Sequence, residues 1–125
     1  MNILCDTSFL MVLVTKPIKQ LDSIVIEYGK INFLIPDVVI EELKKLVHNP
    51  SYKSSLSAKT VLEITKKFEI INTKKLNYTD DSIIDYAINY KCAVATMDKN
   101  LIQRLISSKI MVFSLRNNKL LIMNP

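Results

Sequence analysis

Short apolar runs alternate along the chain with longer stretches in which apolar positions recur every three or four residues. The runs "NILCD", "INFLI", "EIIN", "CAVAT" and "IMVFS" read as strands, and "KLLIM" is a candidate sixth at an edge. Helical spacing covers 17–28, ending at Gly29, a common C-terminal stop. A second helix runs from Asp37, which can cap it behind Pro36, to about Val47, with Lys44 and Lys45 in its later turns. After the loop "NPSYKSS" the pattern predicts helices over 55–68, over 79–90 opened by Thr79 and Asp80, and over 98–108.

Strands alternating with helices predict an α/β fold with a mainly parallel sheet. In such sheets, sites form beyond the carboxyl ends of strands, where strand order switches. That directs attention to polar residues standing directly after apolar runs.

Two acids stand there. Asp6, in "ILCDTSFL", follows the first strand, and an ionised carboxylate so near a core is costly unless paired, hydrogen-bonded or bound to a metal. Asp98, in "VATMDKN", follows the fourth strand. Either acid can also be read as a helix N-cap, since each precedes a helical pattern. The neighbours of Glu41 at helical spacing are largely polar, whereas Glu42 lies beside Val38, Val39 and Leu46, along the apolar stripe. In "TDDSIIDYAI" the stripe is Ile83, Ile84, Ala87 and Ile88. Asp80 stands at its head and is chosen as the inward acid, with Asp81 a close alternative and Asp85 beside it.

Composition narrows the chemistry. A length of 125 residues, 49% of them apolar, suits one domain, 1–125, with a single core. No apolar run approaches a membrane span, and "NILCD" offers no signal-peptide pattern, so a cytoplasmic location is expected. One glycine excludes a dinucleotide-binding GxGxxG or a phosphate-binding P-loop. Cys5 and Cys92 lie in apolar runs as buried small hydrophobes, and His48, the only histidine, sits near a helix end at the surface, so a Cys/His zinc site is excluded on ligand count.

Four inward carboxylates require a cation, and with oxygen ligands alone the ion is a hard one, Mg²⁺ or Mn²⁺. Such an ion acidifies water and offsets charge on a phosphate, which points to phosphodiester hydrolysis. The net charge of +5 suits a polyanionic substrate held outside an acidic pocket.

The ordered set "ILCDTSFL", "IPDVVIEEL", "YTDDSIIDYA" and "VATMDKNL" resembles the PIN-domain ribonucleases over nearly the whole chain. That resemblance implies a three-layer α/β/α sandwich with about five strands, a pocket of three or four acids, one or two Mg²⁺ or Mn²⁺ ions, and RNA as substrate. It implies that Asp6, Glu42, Asp80 (or Asp81) and Asp98 are the catalytic and metal-binding acids, supported by Thr7, Ser8 and Thr96. Within the family, the chain looks most like archaeal relatives of the small-subunit processome nuclease, which implies ribosomal RNA maturation. VapC-type toxins of toxin–antitoxin pairs are the nearest competitor.

Met97 departs from the pattern, standing where members often carry a polar residue or arginine. Candidate RNA contacts are Lys53, Lys59, Lys99, Arg104 and Arg116, each equally readable as ordinary surface charge. Expected partners are RNA (ribosomal or transfer), a second copy in a homodimer, and an antitoxin or ribosome-assembly factor. Outside enzymes, a catalytically silent RNA-binding or assembly module fits the same composition. A phospho-accepting receiver domain is set aside, because "DTS" and "FSLR" lack its acidic pair and lysine.

Overall fold

A computed structural model describes residues 1–15, 29–117 and 119–125. The expected helix over 17–28 lies outside the described residues. Gly29, which follows it, has φ +75°, a conformation that glycine adopts without strain.

The described elements are β1 (Asn2–Cys5), α1 (Thr7–Leu13), β2 (Asn32–Pro36), α2 (Asp37–Val47), α3 (Tyr52–Thr65), β3 (Glu69–Ile71), α4 (Thr79–Tyr90), β4 (Ala93–Ala95), α5 (Lys99–Ser107), β5 (Val112–Arg116) and β6 (Lys119–Met123). The sheet order is β3-β2-β1-β4-β5-β6. The first five strands in that order pair in parallel, and β6 returns antiparallel on β5. The chain steps outward from β1 through β2 to β3, then crosses back and steps outward from β4 to β5. With right-handed crossovers, reversing direction puts the two sets of helices on opposite faces, which produces the α/β/α sandwich. The reversal lies between β1 and β4, where Cys5 pairs with Ala95.

Strands covered on both faces need apolar residues throughout rather than alternation. Ile3, Leu4 and Cys5 of β1 and Val94 and Ala95 of β4 are accordingly buried, with Phe9 and Leu10 of α1 packed into the same core. Each such large aliphatic or aromatic side chain contributes roughly 1.5–3 kcal/mol on burial. β1 is therefore anchored in the core, and Asp6 stands at its end.

Two expectations shift. α3 begins and ends three residues earlier than its periodicity implied. At its start Ser55 N–H bonds the Ser51 carbonyl and Ser55 Oγ caps back to the Val47 carbonyl. At its end Phe68 packs edge-to-face on Phe33, with ring centroids 6.0 Å apart, and carries the chain into β3. Ile88, assigned to the apolar stripe of α4, is 52% exposed. The buried stripe stops at Ala87, whose carbonyl receives the Cys92 N–H as the chain turns through left-handed Lys91 into β4.

Candidate active site

Asp6 continues β1 past its end, its N–H bonding the Ala95 carbonyl at 2.9 Å. Its side chain is only 6% exposed. It occupies the N-cap position of α1 but makes no capping bond there, so capping does not explain the carboxylate. Instead Asp6 Oδ2 accepts two hydroxyl protons, from Ser8 Oγ at 2.9 Å and Thr96 Oγ1 at 2.8 Å.

Each hydroxyl has a single proton to give. Both protons are committed to Asp6, and each hydroxyl oxygen in turn receives a backbone N–H from the β4–α5 connection. Met97 N–H donates to Ser8 Oγ at 3.0 Å, and Asp98 N–H donates to Thr96 Oγ1 at 3.1 Å. Two relays, N–H to hydroxyl to carboxylate, thus tie the segment that carries Asp98 to Asp6. No described hydrogen bond reaches Asp6 Oδ1. Among the described residues no buried side-chain oxygen lacks a partner, so Oδ1 is the oxygen that faces solvent.

Asp98 does cap its helix: Oδ1 accepts from Asn100 N–H at 2.8 Å and Leu101 N–H at 3.0 Å. Capping and a place in the site are compatible here, because both bonds fall on one oxygen of an exposed carboxylate. The positive end of α5 also favours negative charge at this point.

Glu42 is half-buried on α2, and Thr7 Oγ1 donates to its Oε1 at 3.1 Å. Burial pushes the Glu42 carboxyl above its ordinary range, the charges of Asp6 and Asp80 push it further, and hydroxyls of Thr7 and Thr79 partly offset this. Asp80, in the first turn of α4, is likewise raised, first by burial and then by the charges of Asp6 and Asp98, with Arg104 opposing. Four acids from four different connections therefore act on one another electrostatically. Asp81 instead forms an ion pair with Arg104 at 2.6 Å and adds only a smaller push on Asp80.

The donor chemistry fits a hard divalent cation. The acids supply only oxygens, one of them the outward Oδ1 of Asp6, and their mutual repulsion is what such an ion relieves. Among the described residues no three acidic, cysteine or histidine side chains form a ready-made cage. An ion that keeps several of its waters does not need one. The thiols offer no competing chemistry: burial pushes Cys5 upward, with the Asp6 charge adding to it, and burial also raises Cys92. His48 is exposed at the end of α2.

Lys53 and Lys59 are exposed on α3, Lys99 opens α5 directly after Asp98, and Arg116 is exposed at the end of β5. Arg104 is exposed too but engaged with Asp81. Three residues around these acids take roles that the sequence pattern did not assign them. Thr79 supports Glu42 from the head of α4. Asp37, expected as a cap, sits inside α2, where its Oδ1 accepts from Val38 N–H, Thr73 N–H and Thr73 Oγ1 at 2.9, 3.0 and 2.7 Å. It thereby pins the loop that delivers Thr79 and Asp80. Met97 turns its sulfur inward, accepting Leu115 N–H at 3.4 Å and Ser114 Oγ at 3.5 Å. Only a hydroxyl two residues beyond the acidic "DVVIEE" motif's partner strand, "IINT", hinted at the second of these.

A family model described as PIN like domain matches residues 3–118. Over 93 residues the chain is 32% identical to Ribonuclease VapC9 of Archaeoglobus fulgidus, covering 74% of this chain and 67% of that relative. Its structure is similar to that of the PIN domain endonuclease Utp24, with 28% identity and a TM-score of 0.77 over 99% of this chain and 92% of the other. VapBC2 from Rickettsia felis, solved with a DNA fragment from its promoter, matches with a TM-score of 0.67 and 14% identity, over 93% of this chain and 100% of that one. At that identity the likeness is one of fold.

Proposed function

The chain belongs to the PIN like domain family, and on that footing we propose that it is a Mg²⁺- or Mn²⁺-dependent endoribonuclease. The observation that carries this reading is the Asp6 carboxylate, buried, held by Ser8 and Thr96 through one oxygen and open through the other. Asp6, Glu42, Asp80 and Asp98 would hold the ion at the crevice between β1 and β4. When bound, it supplies an acidified water for attack and neutralises charge developing on the phosphate.

The protein's own contribution is placement. Ser8 and Thr96 fix the rotamer of Asp6, while the N-terminal turn of α5 fixes Asp98. Thr7 orients Glu42, and the Thr79 hydroxyl favours its charged form. Lys53, Lys59, Lys99, Arg104 and Arg116 would hold the RNA backbone outside the acidic crevice.

We place the substrate in ribosomal RNA processing, supported by the near full-length likeness to the Utp24 endonuclease domain. The 32% identity to Ribonuclease VapC9 favours a second reading, a toxin-type ribonuclease with an antitoxin partner. Incubating purified protein and Mn²⁺ with structured ribosomal RNA and with transfer RNA tests both. Cleavage confined to ribosomal RNA supports the first reading, and cleavage confined to transfer RNA supports the second. No cleavage of either, alongside RNA binding, would leave a silent RNA-binding module. A homodimer is expected by either route, and light scattering measures it.

A further inference from the structure

The β5–β6 hairpin carries a feature that its fold does not explain. Its register places Arg116 directly opposite Lys119 across the antiparallel pair. Like charges in direct opposition oppose strand pairing rather than support it. Both side chains are exposed, and among the described residues neither takes part in an ion pair, the three ion pairs lying elsewhere. Between them the chain turns at Asn117, whose φ of 53° is one that asparagine tolerates better than most residues.

The location ties this pair to the acids. Strand alternation puts Arg116 on the same face as Ser114, whose hydroxyl reaches the Met97 sulfur. That sulfur also takes the Leu115 N–H, one residue before Arg116. Met97 immediately precedes Asp98. The two cations therefore rise beside the connection that carries the fourth acid, at the carboxyl edge of the sheet. A groove of about 410 Å³ runs along the tip, lined by Arg116, Asn117, Lys119, Leu120 and Leu121.

We propose that Arg116 and Lys119 form a two-cation grip for a phosphate of the RNA backbone, holding the strand on the Asp98 side of the crevice. The inference rests on the RNA reading above but names a specific subsite and a residue, Lys119, outside it. A phosphate between the two charges removes the repulsion that the register imposes.

Binding of a fluorescently labelled single-stranded oligoribonucleotide, followed by anisotropy in metal-free buffer over a range of salt, tests the grip. The Arg116→Ala/Lys119→Ala variant should bind on the order of 10-fold more weakly. Its plot of log affinity against log salt should be shallower by about 0.7, the share of one phosphate contact on a single strand. Lys66→Ala, at the opposite end of the sheet, should change neither. The melting temperature of the double variant should stay the same or rise, since a repulsion has been removed. Unchanged affinity and slope in the double variant, or no RNA binding by the wild type, overturns the grip. Cleavage with Mn²⁺ is scored separately: weakened binding without any cleavage keeps the grip and sinks the nuclease reading, and cleavage with unchanged binding does the reverse.

Discussion

The hydroxyl of Thr96 lies 2.8 Å from Oδ2 of Asp6, joining residues 90 positions apart. Thr96 Oγ1 also receives the Asp98 N–H, so one buried side chain sets the position of two acids. Thr96→Val keeps the shape but deletes the hydroxyl, leaving an unmet carboxylate bond and an unmet N–H. Stability should fall by about 1–3 kcal/mol in urea unfolding. RNA cleavage should fall on the order of 10- to 100-fold, the cost of misplacing a reacting group by about an ångström. Thr96→Ser should recover most of both.

The pH dependence of stability follows from the direction of the shifts. Glu42 and Asp80 are raised by burial and by neighbouring acids, so the folded state binds their protons more tightly than the unfolded one. Their contribution is fully present below about pH 4 and is lost as pH rises through the higher folded values. Metal-free protein should therefore lose melting temperature as pH rises toward neutrality. Asp80→Asn should flatten that decline while abolishing cleavage, and Mn²⁺ should raise the wild-type melting temperature at neutral pH.

Asp80 and Asp81 are adjacent but differently engaged. Asp80 feels the charges of Asp6 and Asp98, whereas Asp81 is paired with Arg104. Asp80→Asn should lower the cleavage rate by at least about 100-fold, the scale of losing a preorganised charged group. Asp81→Asn breaks a largely exposed pair worth less than about 1 kcal/mol. Its rate should change by no more than about 5-fold, the kinetic equivalent of a loss of that size. Equal losses in the two variants would remove the distinction between them.

Asp37 behaves oppositely to the pocket acids. Burial opposes its charge, but bonds from Thr73 and Val38 and the nearby Lys75 hold its carboxyl below the ordinary range. Its contribution is present above about pH 4 and lost as pH falls through the folded value. Asp37→Ala should cost about 1–3 kcal/mol at neutral pH and less in acid, read from denaturant curves. Amide exchange at Thr73 should quicken in the same variant.

The sheet was legible because strands covered on both faces carry uninterrupted apolar runs, as in "ILC" and "AVA". Asp6 and Asp98 stood out because each interrupts the chain where such a run ends. The inward side of Glu42 was visible through helical spacing, whereas the pairing of Asp81 with Arg104, 23 residues on, leaves no mark in the local pattern. Asp37 was misjudged because its partner, Thr73, lies 36 residues away, on a loop whose path periodicity does not reveal. Met97 looked like a departure from the family pattern, and only the approach of β5 shows its sulfur meeting a backbone N–H. Ile88 fits the helical stripe, but helical spacing does not show where the sheet beneath it stops.

The central claim is that Asp6 anchors a divalent ion used to cut RNA. Its most direct test is the single-turnover cleavage rate of RNA as Mn²⁺ is titrated, for wild type and for Asp6→Asn. The rate should rise to saturation with Mn²⁺ in the wild type, vanish with chelator, and fall by at least about 100-fold in the variant at every metal concentration. Cleavage that persists in chelator, or a variant that follows the wild-type curve, would contradict it.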